Sequence, residues 1–343
     1  MAISKALLEK IGSDQYKDEI LDLQGEDIDD YDAFQLSTVL PKNSNIRTLL
    51  LSNNNIRDEG AEAIASIQGG ANSKSKIRVI DISQNRIGPA GAGGLGKMSL
   101  DKLDLSSNPI GDKGAEAIGK SLQNNSEIVE LNVGGCGISK SGSTWLFKKS
   151  SLKKLDLSRN DIPESSLELL PFNSNLQTLI LQQCKLTPSC AKYFVPKTSL
   201  EVLDLSTNDL GDEGAIILAK ADNNVNELSL SQNGIGDNGI SGFGENLSLR
   251  ILDFSNNHVY SSGVINLSRK NKKLFSLNLS FNELDVECVP ALISMQTLTT
   301  LKVNDNYIND EGTKMLYDYA QRNPSLTLDC TFNTARAKKK MSP

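Results

Sequence analysis

The sequence predicts an α/β solenoid in which short parallel strands stack into a sheet and helices or turns carry the chain back on the other side. Three observations support this fold class. An eleven-position apolar pattern recurs along most of the 343 residues, its copies lie mostly 24 or 25 residues apart, and the segments between copies carry apolar residues at helical spacing. Stacked units of this kind bury one continuous core.

The repeated pattern is L-x-x-L-x-L-x-x-N-x-L, numbered here as positions 1 to 11, with Ile, Val or Phe allowed for Leu. Two longer steps, of 31 and 28 residues, interrupt the spacing in the first half. The eleven copies begin at Ile46, Ile77, Leu100, Ile128, Leu152, Leu176, Leu200, Val225, Leu249, Leu274 and Leu298. Position 9 is Asn except at Cys136 and Cys184. A degraded unit precedes the copies at 21–28, and we expect another at 328–333.

The first half of each copy is expected to be a strand. Side chains alternate with period two along a strand, so the residues at positions 4 and 6 point into the core. The Asn at position 9 turns the chain off the strand. Its amide can pair with backbone groups of neighbouring loops, each of which would cost about 1–3 kcal/mol if buried without a partner.

The second half of each copy favours a helix. Asp58 suits a helix start, and Gly60-Ala61 and Ile64 follow it at helical spacing. The same signature recurs at 111–118 and 211–218, and more loosely near Asp237 and Asp310. The segments 187–193 and 285–290 have weaker helical patterns, so this side is expected to mix helices with shorter turns.

These motifs resemble those of leucine-rich repeat proteins over roughly residues 18 to 333. The N-x-I-x-D-x-G-A-x-x-[IL]-[AG] register is similar to the ribonuclease-inhibitor-like class. With the 24-residue step it looks closest to the GALA-type repeats of bacterial effector proteins. The resemblance implies a horseshoe with a parallel β-sheet on the concave face and helices and short turns on the convex face. It also implies a non-catalytic scaffold that binds a host protein or another effector through the concave face.

The predicted organisation has one solenoid and two ends that cover its core. We expect an N-terminal capping region at 1–45, which includes an amphipathic helix with Ile3, Leu7 and Ile11 on one face. Eleven leucine-rich repeats occupy 46–322, and a C-terminal cap strand lies within 323–333. A disordered basic tail is expected at 334–343.

Composition narrows the function classes. The 36 Lys and Arg against 42 Asp and Glu give a net charge of −6, which argues against a nucleic-acid partner. The apolar runs are too short for a membrane span, and no secretory signal is evident. Five cysteines without a CxxC spacing predict free thiols. We therefore expect a monomer that is cytoplasmic or enters a host cell without a cleaved signal peptide.

Motifs for catalysis are weak. The segment 114–121 matches the P-loop pattern G-x-x-x-x-G-K-[ST], but it falls in the helical register of the repeat, where backbone amides cannot wrap a phosphate. The single histidine, His258, lies several repeats away from the position-9 thiols Cys136 and Cys184, and no His/Cys pair has metal-ligand spacing. The sequence therefore predicts no enzyme activity and no cofactor.

The solvent-facing columns at positions 3 and 5 are the first predicted partner-binding surface. They hold seven acids and three lysines. An acidic ladder attracts basic partners, although Leu-Asp-Leu-Ser is also ordinary for these repeats and the Asp column can be structural. Apolar residues replace Asp at Leu50 and Ile180. The acids are Asp81, Asp104, Glu130, Asp156, Asp204, Glu227 and Asp253.

The second predicted surface is aromatic. Phe275, Phe281 and Tyr307 lie with His258 on three adjacent repeats, in a chain with only 5% aromatic residues. Aromatic side chains dominate binding hot spots, so this group is predicted to anchor a partner. Phe275 could instead pack towards the next repeat. The alternative function is a regulatory leucine-rich repeat protein that stimulates a GTPase or recruits a ubiquitin ligase.

Overall fold

The computed structural model describes residues 3–124, 127–148, 150–196, 198–221, 223–246 and 248–333. The predicted basic tail at 334–343 lies outside these residues. The chain forms two compact units, Met1–Leu179 and Ile180–Pro343. We call them the first and the second unit.

Each of the eleven copies places a three-residue strand at positions 3 to 5, as predicted. The degraded units before and after the copies form the strands β1 and β13. The strands are β1 Ile20–Asp22, β2 Thr48–Leu50, β3 Val79–Asp81, β4 Lys102–Asp104, β5 Glu130–Asn132, β6 Lys154–Asp156, β7 Thr178–Ile180, β8 Val202–Asp204, β9 Glu227–Ser229, β10 Ile251–Asp253, β11 Ser276–Asn278, β12 Thr300–Lys302 and β13 Thr327–Asp329.

Strand pairing confirms the parallel sheet. In the first unit β1 to β6 pair in chain order, and in the second unit β8 to β13 do so. Residues at the same repeat position lie opposite each other, as Ile251 does with Ser276. Each position of the pattern therefore forms a column across neighbouring strands.

The return segments mix helices with shorter turns, as expected. The α-helices are α1 Lys5–Gly12, α2 Asp30–Val39, α3 Asp58–Ala65, α4 Pro89–Leu95, α5 Gly111–Gln123, α6 Lys140–Phe147, α7 Glu164–Leu167, α8 Gly211–Ala219, α9 Asp237–Gly242, α10 Ser261–Lys270, α11 Val289–Ser294 and α12 Asp310–Arg322. The 3₁₀ turns are Leu40–Lys42, Ser66–Gln68, Leu170–Phe172, Pro188–Phe194, Phe243–Glu245 and Val286–Cys288. The P-loop-like segment 114–121 lies inside α5, and none of the described helices is long and apolar enough to cross a bilayer.

The core lies between the strands and the return segments of each unit. Positions 4 and 6 are fully buried, as at Leu49 and Leu51 in the first unit. In the second unit Phe243 and Phe254 meet edge to face, with ring centroids 5.3 Å apart. At the N-terminal end Ile3 and Ile11 are buried, and Leu7 is partly exposed.

The position-9 asparagines connect neighbouring repeats. Asn257 is buried, and its Oδ1 accepts the N–H groups of Asn233 and Ile235, both at 3.0 Å. Its Nδ2 donates to the carbonyl oxygens of Leu230 at 2.9 Å and Phe254 at 3.0 Å. One side chain thus pairs backbone groups of two successive repeats, as the sequence predicted.

A thiol can replace only part of this role. At Cys136 the Sγ lies 3.2 Å from the Leu105 carbonyl oxygen, so the donor is retained. A thiol has no counterpart of the Asn Oδ1, which elsewhere accepts the position-11 N–H of the preceding repeat. Here that N–H, from Ile110, donates to the Asn108 carbonyl oxygen at 2.9 Å instead. The substitution is therefore structural, and all five cysteines are buried thiols that form no disulfide.

The aspartates near the helix starts form hydrogen bonds with the next repeat. Asp212 in α8 accepts the N–H groups of Gly236 at 2.7 Å and Gly239 at 3.0 Å, which open the next helix, α9. Asp58 likewise accepts the N–H of Gly91 in α4 at 2.8 Å. The predicted helix start at Asp58 is confirmed, because α3 begins there, and its carboxylate also caps the helix of the following repeat.

This cross-repeat cap explains the glycine of the Asp-x-Gly-Ala signature. A Cβ at Gly239 would lie 2.7 Å from Asp212 Oδ1 and 2.4 Å from Ile235 Cγ2. Real Cβ atoms do not approach so closely. The glycine of one repeat therefore leaves the space that the aspartate of the preceding repeat needs to cap its helix.

Candidate functional site

Position 8 has an unusual backbone in almost every repeat. Its non-glycine residues adopt φ between 52° and 60°, the left-handed region that favours Gly, Asn and Asp. Most of them are polar, as Gln232, Asn256 and Asp305 are in the second unit. Phe281 and Phe332 are the exceptions, at φ 55° and 60°.

Both phenylalanines are exposed where the strands end. The side chain of Phe281 is 47% exposed and that of Phe332 is 69% exposed. Neither ring is needed to fill the core, and a left-handed backbone disfavours a bulky residue. Strained residues with exposed apolar side chains are more typical of contact sites than of scaffold positions.

Position 10 supplies a second column beside these rings. It holds His258, Glu283 and Tyr307 in three successive repeats. Each backbone N–H donates to a carbonyl of the preceding repeat, the His258 N–H to Ile235 at 2.8 Å, for example. The three residues therefore follow one another at about the strand spacing of 4.8 Å.

We call positions 8 and 10 of the second unit the strand-exit edge. Its members, from the repeat beginning at Val225 onward, are Gln232, Gly234, Asn256, His258, Phe281, Glu283, Asp305, Tyr307 and Phe332. Most of them line one open groove, in which the imidazole of His258 and the ring of Phe281 lie with the carboxylates of Glu283 and Asp305. The structure thus brings together the predicted residues His258 and Phe281. Tyr307 is partly buried in the neighbouring repeat.

Phe275 does not join this group. It directly precedes β11, whereas Phe281 lies three residues beyond the end of β11, in a left-handed turn. The two residues therefore lie beyond opposite ends of β11. Phe275 is 48% exposed, and the guanidinium carbon of Arg250 lies 5.8 Å from its ring centroid. The structure thus separates Phe275 from Phe281, and a partner contact at Phe275 stays a prediction.

The aspartates of the acidic column have a structural role. Oδ1 of Asp253 accepts both the N–H of Ser255 at 2.8 Å and its hydroxyl at 2.6 Å, and so closes the turn after β10. The other oxygen, Oδ2, accepts from Asn278 Nδ2 at 2.8 Å. The same Asp-to-Ser bonds are made by Asp81, Asp104, Asp156 and Asp204.

The sheet faces of the two units differ in charge. In the first unit lysines interrupt the acids, and Lys102 forms an ion pair with Glu130 at 3.9 Å. In the second unit Asp204, Glu227 and Asp253 follow one another on β8 to β10, and Lys302 on β12 is the cation of these columns. Leu50 and Ile180 are partly exposed at the ends of β2 and β7.

Sequence reasoning predicted His258, Phe281 and Tyr307 of the strand-exit edge and missed its other six members, among them Glu283 and Phe332. Glu283 follows a position-9 Asn as His258 does, and Phe332 occupies position 8 of the degraded last unit. The signal for Phe332 is present, because the unit at 328–333 is recognisable from its pattern. Its exposure depends on the left-handed turn, which the pattern alone does not reveal.

The arrangement is suited to binding. Among the described residues no three His, Cys, Asp or Glu side chains form a group that could hold a metal ion. Burial raises the pKa of the Cys136 thiol to about 11 and that of Cys288 to about 12, so neither is an activated nucleophile. The exposed groups at the edge are rings, amides and carboxylates.

Comparison with known proteins establishes the family. The model of the Leucine Rich repeat matches more than half of the chain, at residues 42–65, 73–96, 96–119, 148–163, 197–219, 221–244, 245–268 and 294–316. The chain therefore belongs to the leucine-rich repeat family. Proteins of this family serve as protein-binding scaffolds, and the fold is typically non-catalytic. No curated protein sequence matches the chain.

Three solved structures are similar to this chain at low sequence identity. An internalin (inlF) from Listeria monocytogenes aligns with a TM-score of 0.53 and 18% identity over 94% of this chain and 88% of its own. The APL1 leucine-rich repeat domain aligns with a TM-score of 0.47 and 18% identity, over 90% of this chain and 79% of its own. The Arabidopsis receptor kinase HAESA was solved with the peptide hormone IDA and the co-receptor SERK1. It aligns with a TM-score of 0.49 and 19% identity, over 86% of this chain and 47% of its own.

Proposed function

We propose that this protein is a monomeric, non-catalytic scaffold that binds another protein through the strand-exit edge and the adjoining acidic sheet face of the second unit. The observation that carries the proposal is Phe281. Its ring is 47% exposed, and its backbone is held at φ 55° in a column that is otherwise mostly polar. A scaffold requirement alone would be met better by Asn or Gly.

The rigid backbone favours this use. Phe281 donates its N–H to the Asn304 carbonyl at 3.0 Å, and Asp305 donates to Thr331 at 3.0 Å, so the edge is ordered before a partner arrives. A preorganised aromatic anchor costs little conformational entropy on binding. Such anchors supply most of the affinity of protein interfaces.

Charge favours a basic partner. Glu283 and Asp305 lie beside Phe281 in the groove, and Asp204, Glu227 and Asp253 lie on the sheet face of the same unit. Complementary charge speeds encounter and selects against acidic proteins.

A photo-crosslinking amino acid at position 281 tests the proposal. The matched control carries the same group at position 172, where Phe172 is 70% exposed in the first unit. We expect a discrete basic protein to be captured from position 281 and absent from position 172. Identical background capture at both positions would contradict the proposal.

The biological setting rests on the resemblance to GALA-type repeats. The Asp-x-Gly-Ala signature supports a bacterial effector whose partner is a host protein or another effector. Crosslinking in both host-cell and bacterial lysates separates these two settings. If the captured partner is a GTPase, its GTP hydrolysis rate with and without the scaffold tests the regulatory alternative.

A further inference from the structure

We propose that Gly234 opens a hollow in the strand-exit edge, and that the hollow admits the main chain of an extended segment of the partner. The Gly234 N–H donates to a carbonyl oxygen of that segment, and Phe281 packs against a side chain about three residues further along it. This inference rests on the proposed function and specifies how the partner is recognised.

The hollow lies in the position-10 column of the edge. Gly234 is exposed, and it is the one residue of that column without a side chain. A Cβ at Gly234 would meet no heavy atom within 4 Å beyond its chain neighbours, so the space above its backbone is open. Asn256, His258 and Phe281 line the same groove. At this row the floor of the groove is therefore bare backbone.

The backbone N–H at this floor is available to a partner. In later rows the position-10 N–H donates to the preceding repeat, as His258 does to Ile235 at 2.8 Å and Tyr307 does to Leu284 at 2.7 Å. Gly234 has a left-handed backbone at φ 66°, and its N–H forms no hydrogen bond with any residue that the structure describes. An exposed N–H without a protein acceptor pairs with water, which a partner carbonyl oxygen can replace.

Two side chains beside the hollow add hydrogen-bonding groups. The amide of Asn256 and the imidazole of His258 are exposed, and neither bonds to another residue within the described ranges. An amide carries both donors and an acceptor, as a peptide group does. A peptide main chain repeats its N–H and carbonyl groups at every residue, so it can pair with these side chains and with the Gly234 N–H in one pose.

An extended segment suits these groups better than a folded surface does. The main-chain groups of a folded surface are mostly paired already, whereas an extended segment has free carbonyl oxygens. A partner carboxylate at the hollow would meet the carboxylates of Glu283 and Asp305, which line the same groove, and like charges repel. A side-chain amide can accept one bond but does not continue along the edge.

The length of the groove sets the size of the segment. The groove runs from Thr207 to Asp305, across five successive repeats. Rows lie about 4.8 Å apart and an extended chain rises about 3.3 Å per residue, so the groove holds about six residues. Phe281 lies two rows beyond Gly234, which corresponds to about 10 Å or about three extended residues.

Peptide selection with matched glycine variants tests the inference. Linear random dodecapeptides displayed on phage are selected against the immobilised full chain and then synthesised. Their affinities are measured for the wild type, Gly234→Asn, Gly211→Asn and Phe281→Asn. Asn accepts a left-handed backbone, so Gly234→Asn fills the hollow and keeps the turn. Gly211→Asn is the control, because Gly211 has φ 53° and open space but lies outside the groove.

Two scans of each selected peptide locate the contacts. Each main-chain amide is replaced in turn by an ester, whose carbonyl oxygen is a weaker acceptor, and each side chain is replaced by that of Ala. We expect Gly234→Asn to weaken binding about tenfold or more and Gly211→Asn to have no effect. One ester should weaken binding to the wild type about fivefold and add nothing in Gly234→Asn. One Ala replacement about three residues away should weaken binding about tenfold.

The outcomes that would overturn the inference differ in what else they overturn. Peptides that need Phe281 but bind Gly234→Asn like the wild type would refute the hollow and leave the proposed interface intact. Peptides that lose binding with one side-chain amide and with no ester would do the same, and so would a failure to select any linear peptide. Peptides that bind both Gly234→Asn and Phe281→Asn as tightly as the wild type would refute the inference and the proposed function together.

Discussion

Replacing Asn257 with Ala should destabilise the second unit by several kcal/mol, whereas changing its neighbour Asn256 should not. Asn257 is 5% exposed and connects two repeats through its amide, but Asn256 is exposed and lies at φ 54°. The two residues are adjacent in sequence and of the same type. They therefore separate the role of the hydrogen bonds from that of the residue type.

The magnitude follows from the bonds lost. Without Oδ1 of Asn257, the buried N–H groups of Asn233 and Ile235 lose the acceptor that each has at 3.0 Å. An unsatisfied buried donor costs about 1–3 kcal/mol, so the two together cost about 2–6 kcal/mol. The Phe254 carbonyl keeps a second donor, Asn282 Nδ2 at 2.9 Å, and adds little to this cost.

Urea unfolding and amide hydrogen exchange measure the effect. Because repeat proteins open locally, we expect the Asn233 and Ile235 amides to exchange at least about thirtyfold faster in Asn257→Ala, since about 1.4 kcal/mol corresponds to a factor of ten. Asn256→Gly is the control, because Gly adopts the same backbone. Equal losses of stability in the two variants would refute the role assigned to the position-9 amide.

Three further predictions concern packing, ionisation and strain. Gly239→Ala should lower the free energy of unfolding by about 1–3 kcal/mol, because its Cβ would overlap Asp212 Oδ1 and Ile235 Cγ2; a urea midpoint equal to wild type would contradict the cross-repeat cap. The pKa of Cys288 is raised by burial from 9.0 to about 12, so the unfolded chain loses this proton first as pH rises. The stability contributed by this thiol should therefore be lost between about pH 9 and pH 12, and Cys288→Ala should reduce that loss in pH-dependent urea titrations. Phe281→Asn should leave the free energy of unfolding unchanged or raise it by up to about 1 kcal/mol, since Asn accepts φ 55° more readily; a large loss would show that the ring belongs to the core.

Much of the fold could be predicted because the repeat constrains each position locally. The period-two alternation places Leu49 and Leu51 inside, and the recurrence of Asn at position 9 indicates a buried amide. The helical register of 114–121 is enough by itself to exclude a phosphate loop there. These inferences need only the pattern within one repeat.

The remaining features depend on contacts between repeats. The Asp212 side chain reaches the next helix, and no spacing within its own repeat reveals that destination. The separation of Phe275 from Phe281 follows from their lying on either side of a strand. The prominence of Phe332 follows from a left-handed turn at position 8, which becomes visible only when φ is known.

The central claim is that the strand-exit edge of the second unit is the protein-binding site. The most direct test is the affinity of the partner captured at position 281 for the wild type, Phe281→Asn and Phe172→Asn, measured by titration calorimetry. The unfolding temperatures of the three proteins are compared first, so that a loss of affinity is not a loss of fold. We predict that Phe281→Asn weakens binding about tenfold or more and that Phe172→Asn binds like the wild type. Equal affinity of all three proteins would contradict the claim.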